Sequence, residues 1–175
     1  MPIIIEAVYL IVPVSVINQR LKGGLDDFKK LVPNRTYVCD DELAGCGFMS
    51  SDDAWEFAET LMTHGFYIQY NDPNSEIALV DMVRGKLHPS GFYDFIRMFH
   101  PKGALTTLAV AKLKGGVAEQ VLAYTGWDPE KNMNLDWQNN KLPKMEDLEF
   151  VSEKNGVVTH RHKVTGELFY SGHPK

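Results

Sequence analysis

Residues 3–12 read IIIEAVYLIV, and this stretch decides the fold. The run is rich in β-branched residues and ends at Pro13, which cannot donate a hydrogen bond to a sheet. It therefore predicts a buried central strand. The run is too short to span a bilayer and contains Glu6, so we expect neither a membrane span nor a secretory leader.

Helical and extended patterns alternate after this first strand. Residues 15–32 carry apolar residues three and four apart, interrupted at Gly23-Gly24, and a second helix is expected from Ser51 to Gly65. Extended patterns cover residues 36–39, 44–49, 66–70 and 77–83, the last two as a hairpin. The order β-α-β-β-α-β plus an added strand predicts an α+β fold. In it, residues 1–84 form a ferredoxin-like split βαβ core.

The next segment, residues 85–125, is expected to add a helix and a hairpin to this core. The helix is predicted by the helical spacing of Phe92, Phe95, Ile96 and Phe99. Residues 106–113 and 117–124 form the two arms of the hairpin, although periodicity leaves open whether either arm is helical.

The last segment begins with polar residues 126–147, which predict a long loop. Residues 148–175 predict a β-meander, because three extended runs are separated by Asn155-Gly156 and Thr165-Gly166 turns. We expect the four segments to form one compact domain.

Composition indicates an ordinary globular protein. The chain has 175 residues, of which 44% are hydrophobic and 23% are charged, which is enough to build a core without disulfide bonds. Cys39 and Cys46 are the only cysteines, so no disulfide framework is expected and a reducing cytoplasm is the natural setting. Both are interpreted as small buried hydrophobes, because acids rather than cations surround them.

Charge is distributed very unevenly along the chain. Between Arg35 and Arg84 there are ten acidic residues and no Lys or Arg, whereas the two flanking segments together carry a net charge of +5. Such a field attracts cations and basic partners. The net charge of −5 argues against general binding to nucleic acid, which requires basic surface.

Part of this acidity falls on one face of the helix predicted from Ser51. Asp52, Glu56 and Glu59 are three or four residues apart, and like charges at this spacing repel each other. One interpretation is a solvated helix face, and the other is a docking face for a basic protein. The candidate partner-binding residues are Asp40, Asp41, Glu42, Asp52, Glu56, Glu59, Trp127 and Trp137. The two tryptophans are either interface anchors or a cover for the sheet.

His160 and His162 are the candidate metal ligands. Residues two apart on a strand point to the same side, so both imidazoles can meet one ion. A third ligand would come from His173, Glu167, His64, His88 or His100. The alternative is a pair of surface histidines.

Motifs of common enzyme classes are missing from the sequence, which contains no G-x-S-x-G, H-E-x-x-H or C-x-x-C. In size and charge the chain is similar to bacterial immunity or inhibitor proteins that neutralise a basic toxin. We therefore expect a binding protein without a cofactor that engages a basic protein. The alternatives are a small metal-dependent enzyme that uses His160 and His162, and a small-ligand sensor with a pocket beneath the 90–99 helix.

Overall fold

The computed structural model describes residues 1–99, 107–116, 121–127, 145–154, 157–164, 166 and 168–172. Over these residues the chain is a mixture of helices and antiparallel sheets, which confirms the predicted α+β class.

A central antiparallel sheet contains the strand that the first apolar run predicts. Strand β2 (Val8–Pro13) lies in its middle, with β4 (Leu43–Phe48) on one side and β5 (Ala78–Asp81) on the other. The outer strands are β3 (Val38–Cys39) and β6 (Gly85–Lys86), which gives the order β3-β4-β2-β5-β6. Every residue of β2 and β4 is buried, because other layers cover both faces of the sheet.

Three helices form the layer on one face of this sheet. They are α1 (Val14–Arg20), α2 (Gly24–Leu31) and α3 (Ser51–Thr63). Val8, Leu10 and Val12 alternate toward this layer and pack with Phe28 and Phe57 in one apolar cluster.

A second antiparallel sheet covers the other face. It consists of β1 (Ile3–Ile5), β8 (Thr107–Leu113) and β7 (Tyr93–Phe99) in the order β1-β8-β7. Tyr9 and Ile11 of β2 point to this side and pack with Ile3 and Ile5 of β1. The first apolar run therefore contributes to both layers of the core.

The prediction of one strand over residues 3–12 was wrong in one respect. The run breaks at Ala7, which has a φ of +54°, in the left-handed region that only a small fraction of residues other than glycine adopt. The break turns the chain from the second sheet into the central sheet, so one apolar run supplies two strands.

The helix predicted over residues 90–99 is also wrong, since these residues form β7. All seven residues of β7 pair with β8, from Tyr93 opposite Leu113 to Phe99 opposite Thr107. A short apolar run is compatible with either periodicity, and here the cross-strand partner decides the outcome. Residues 107–113 of the first predicted arm form the strand β8, whereas residue 106 and residues 117–120 of the second arm lie outside the described residues.

The predicted hairpin of residues 66–70 and 77–83 forms only in part. Residues 66–69 are not a strand, because the Ser75 hydroxyl and the Glu76 carboxylate accept the backbone N–H groups of Gln69 and Tyr67. Side-chain acceptors thus replace the ladder. The hairpin partner of β5 is β6.

The C-terminal meander is confirmed. Strands β9 (Leu148–Lys154), β10 (Val157–His162) and β11 (Leu168–Gly172) form an antiparallel sheet in the order β11-β10-β9. Val157 reaches the cluster under the helices, and the Leu168 N–H donates to the Pro33 carbonyl at 2.7 Å. This sheet is therefore docked beside the helix layer.

The ferredoxin-like part of the fold prediction is not confirmed and stays a prediction. The chain differs from a simple split βαβ unit because two short helices, α1 and α2, connect β2 to β3, and because the second sheet covers the face opposite the helices.

Candidate functional site

The acidic segment between Arg35 and Arg84 contains two groups of carboxylates. One group forms hydrogen bonds and ion pairs within the chain, and the other is exposed to solvent. Glu76 belongs to the first group, because Arg20 forms an ion pair with it at 2.5 Å and the Tyr67 N–H donates to it at 2.8 Å. Burial disfavours the Glu76 carboxylate, but these hydrogen bonds outweigh burial and lower its pKa.

Asp72 and Asp81 also have structural roles. The Tyr67 hydroxyl donates to Asp72, and this bond is the main reason that the pKa of Asp72 is lowered. Asp81 accepts the backbone N–H groups of Val83 and Arg84, both at 2.8 Å, and pairs with the Arg84 guanidinium at 3.1 Å. These carboxylates hold turns together.

Asp40, which the sequence places in the partner-binding set, is another turn residue. It accepts the N–H groups of Glu42 and Leu43 at 2.8 and 2.9 Å, and it pairs with the amino group of Met1. Burial opposes its ionisation, but the Leu43 N–H and the Met1 ammonium lower the pKa of Asp40. Asp41 and Glu42 are exposed, and Glu42 lies 3.3 Å from the same amino group.

Helix α3 carries the other half of the predicted strip. The helix starts at Ser51, as predicted, and the Ser50 hydroxyl caps its first turn by accepting the Asp53 N–H at 3.2 Å. Gly65, with a φ of +90°, follows the helix as predicted. Since β4 separates the 40–42 turn from the start of α3, these two points lie about 20 Å apart along the strand.

The acids of α3 point away from the sheet. Asp52, Glu56 and Glu59 are exposed, whereas Ala54, Phe57, Ala58 and Leu61 are buried. Over the described part of the chain, none of these three acids forms an ion pair. Three exposed acids without an ion-pair partner among the described residues thus share one face of the helix, which we name the α3 acidic face (Asp52, Glu56 and Glu59).

A cavity of about 160 Å³ opens beside α3, between the helix layer and the C-terminal sheet. Asp53, Glu56, Phe57 and Thr60 of α3 line one wall, at the spacing of three, four and seven residues that defines one helix face. Arg161 and Leu168 line the other wall. We name this cavity the α3 groove. Asp53 was not among the predicted site residues, although it lies three residues from Glu56 and seven from Thr60 on the predicted helix.

Trp127 folds back onto the sheets. This agrees with the second interpretation of the tryptophans, in which they cover the sheet rather than anchor an interface. It packs against both apolar clusters of the second sheet, and its indole N–H donates to Glu6 at 2.9 Å. Glu6 is only 5% exposed, and its second carboxylate oxygen has no partner among the described residues. Burial raises the pKa of Glu6 to about 7, although the hydrogen bond from Trp127 works in the opposite direction. Trp137 lies outside the described residues.

The two candidate metal ligands lie on β10, as predicted. The His160 ring packs edge-on against the Phe150 ring at 6.1 Å, and the His162 Nδ1 accepts the Val164 N–H at 3.2 Å. Within the described residues, no group of three or more His, Cys, Asp or Glu side chains can hold a metal ion. His100, Glu167 and His173, which were among the suggested third ligands, lie outside those residues.

The remaining suggested third ligands have other surroundings. His88 is buried, with its ring nitrogens 2.6 Å from the Gln69 carbonyl and 3.1 Å from the Ser90 hydroxyl. The Nδ1 of His64 lies 3.0 Å from the Thr60 carbonyl. Both cysteines are free thiols, and burial raises the pKa of Cys46, which makes it a poor nucleophile.

Comparisons with known proteins give no functional information. No protein-family model, curated protein or solved structure matches this chain. Among the described helices, none is long and apolar enough to cross a membrane.

Proposed function

We propose that this protein binds a basic protein partner through the α3 acidic face. Lys and Arg side chains of the partner would meet the carboxylates of Asp52, Glu56 and Glu59, which share one exposed helix face. In this proposal the protein acts as an inhibitor or immunity-like protein that covers a basic surface.

The proposal rests on one observation, which is that the carboxylates of the α3 acidic face have no positively charged partner among the described residues. Elsewhere in the acidic segment, Asp40, Glu76 and Asp81 have cationic partners within the chain. The three acids of the α3 acidic face form no ion pair over the described residues, so they repel one another. A basic partner relieves this repulsion and gains attraction at the same time.

Electrostatic attraction of this kind affects association more than dissociation. Exposed charge pairs contribute about 0.2–1 kcal/mol each, but a strip of one sign steers a partner of opposite charge during encounter. The complex is therefore expected to form quickly at low ionic strength and to weaken as salt is added.

A capture experiment with a charge-reversal variant tests the proposal. The purified protein and the variant Glu56→Lys/Glu59→Lys are immobilised, and proteins bound from a lysate at low and at high salt are identified by mass spectrometry. We expect the wild-type protein to hold a specific basic protein at low salt and release it at high salt. We expect the variant to bind that protein about tenfold more weakly, at roughly 0.7 kcal/mol for each reversed charge.

The matched control is Asp41→Lys/Glu42→Lys, which changes the net charge by the same amount at the 40–42 turn. This control is expected to retain most of the captured protein. Equal loss from both variants would mean that net charge alone is responsible, and unchanged capture by the α3 variant would contradict the proposal directly. Circular dichroism of both variants establishes that the fold is intact.

A further inference from the structure

The α3 groove contains both signs of charge on facing walls. Asp53 and Glu56 lie on the helix wall, and Arg161 lies on the wall formed by the C-terminal sheet. We propose that this groove binds a small zwitterion, an α-amino acid with a small apolar side chain. Its ammonium group would face Asp53 and Glu56, and its carboxylate would face Arg161.

The opposite charges of the groove do not neutralise each other. Over the described residues, Arg161 forms no ion pair with Asp53 or Glu56, and its carboxylate contact is Glu149 at 3.9 Å. The Arg161 and Glu149 side chains are 47% and 51% exposed, and exposed pairs at such a distance are weak. The guanidinium is therefore available for a ligand carboxylate, which it can bind through two parallel hydrogen bonds.

Apart from the three charged residues and Thr60, the side chains of the groove are apolar and suit a hydrocarbon group. They are Leu31, Pro33, Phe48, Phe57 and Leu168, and the rings of Phe48 and Phe57 pack with their centroids 5.7 Å apart. A ligand that carries only a positive charge would be repelled by Arg161. A ligand that carries only a negative charge would be repelled by Asp53 and Glu56. A ligand that carries both charges satisfies both walls.

Size restricts the ligand further. The groove has a volume of about 160 Å³, and a cavity of about 150 Å³ is known to hold one benzene molecule. Sites for drug-sized ligands start at about 300 Å³, so the groove is smaller than those sites and suits a small ligand. Alanine, valine and leucine are of suitable size.

This inference goes beyond the proposed function and is independent of it. Glu56 belongs to both surfaces, but Asp53 and Arg161 lie only in the groove, and Asp52 and Glu59 do not line it. Loss of partner capture with retained amino-acid binding, or the reverse, would separate the two.

The test is a titration followed by the amide resonances of the ¹⁵N-labelled protein. L-alanine, L-valine and L-leucine are added, and then two analogues of valine that lack one charge each: isobutylamine and 3-methylbutanoate. We expect at least one amino acid to shift the amides of Glu56, Thr60 and Leu168. We expect each analogue, and the variants Arg161→Gln and Glu56→Gln, to bind about tenfold more weakly.

Two variants are the matched controls. Glu59→Gln removes a charge from α3 outside the groove, Lys163→Gln removes one just after β10, and both are expected to bind like the wild type. The inference is overturned if none of the three amino acids shifts these amides. It is also overturned if isobutylamine or 3-methylbutanoate alone binds as tightly as valine, or if binding survives Arg161→Gln unchanged.

Discussion

Replacing Glu6 by glutamine is expected to make the protein more stable at pH 8 by about 3 kcal/mol and to leave its stability at pH 4 nearly unchanged. Glu6 is 5% exposed, accepts one hydrogen bond from Trp127 and has a second carboxylate oxygen without a partner among the described residues. Glutamine keeps the carbonyl acceptor for Trp127 and removes the charge.

The direction follows from the pKa of Glu6 in the two states. Burial raises the pKa from its ordinary value of 4.5 to about 7 in the folded protein, so the folded state keeps a proton that the unfolded state loses. The stability that Glu6 contributes is fully present below pH 4.5 and is lost as the pH rises through 7. Glutamine cannot ionise and therefore escapes this loss.

Urea unfolding of wild type and variant at each pH from 4 to 8 checks this expectation. The difference between the two proteins is the quantity of interest, since other carboxylates titrate equally in both. The control is Glu59→Gln, which removes one carboxylate at an exposed site and is expected to lack the gain of about 3 kcal/mol at pH 8. A Glu6→Gln difference that stays constant from pH 4 to pH 8 would contradict the expectation.

Replacing Gly45 by alanine is expected to destabilise the central sheet by about 1–3 kcal/mol, the usual cost of adding a carbon to a packed core. Gly45 lies on β4 opposite Ile11 of β2 and Val38 of β3. A Cβ at this position would lie 2.6 Å from the Leu10 carbonyl oxygen, which is backbone and cannot turn away. Relief requires the β2–β4 ladder to separate locally.

Hydrogen exchange combined with urea unfolding measures this effect. We expect the amides of β2 and β4 to exchange faster in Gly45→Ala. Gly65→Ala is a suitable comparison, because a Cβ there meets nothing within 4 Å and only the φ of +90° is unfavourable. Its effect should stay near the C-terminal end of α3. Unchanged protection of β2 and β4 in Gly45→Ala would show that the sheet accommodates the methyl group.

Local chemistry made some elements predictable from the sequence. Helix α3 has a serine cap, two acids in its first turn and a glycine just beyond its end, and all of these act within a few residues. The C-terminal meander was likewise predicted from its turn residues and short extended runs. In both cases the signal and the structure it specifies lie in the same stretch of chain.

Elements whose conformation depends on distant partners were predicted wrongly. Residues 93–99 match a helical spacing, but the seven residues of β8 provide a complete ladder for them. The break at Ala7 likewise depends on two sheets that need different directions from one apolar run. Glu6 is the single acid within that run, and it was the one local sign in the sequence that the strand is interrupted.

The candidate site likewise has parts that follow from local sequence and parts that depend on distant residues. The exposed acids of α3 follow from helical spacing alone, so the sequence was sufficient to identify them. The structural role of Asp40 was not predictable, because one of its partners, the amino group of Met1, is 39 positions away in the sequence. Arg161 is about a hundred residues from Asp53 in sequence, and only docking of the C-terminal sheet brings both to one groove.

The pairing of β1 with β8 has a consequence for synthesis of the chain. Ile3 pairs with Ala111, so β1 leaves the ribosome long before its partner exists. At 5–20 residues per second, the delay is on the order of 5–20 s. During this time the three isoleucines of β1 have no strand to pair with. All strands of the central sheet lie before residue 87, so that sheet can form on the growing chain before the second sheet does.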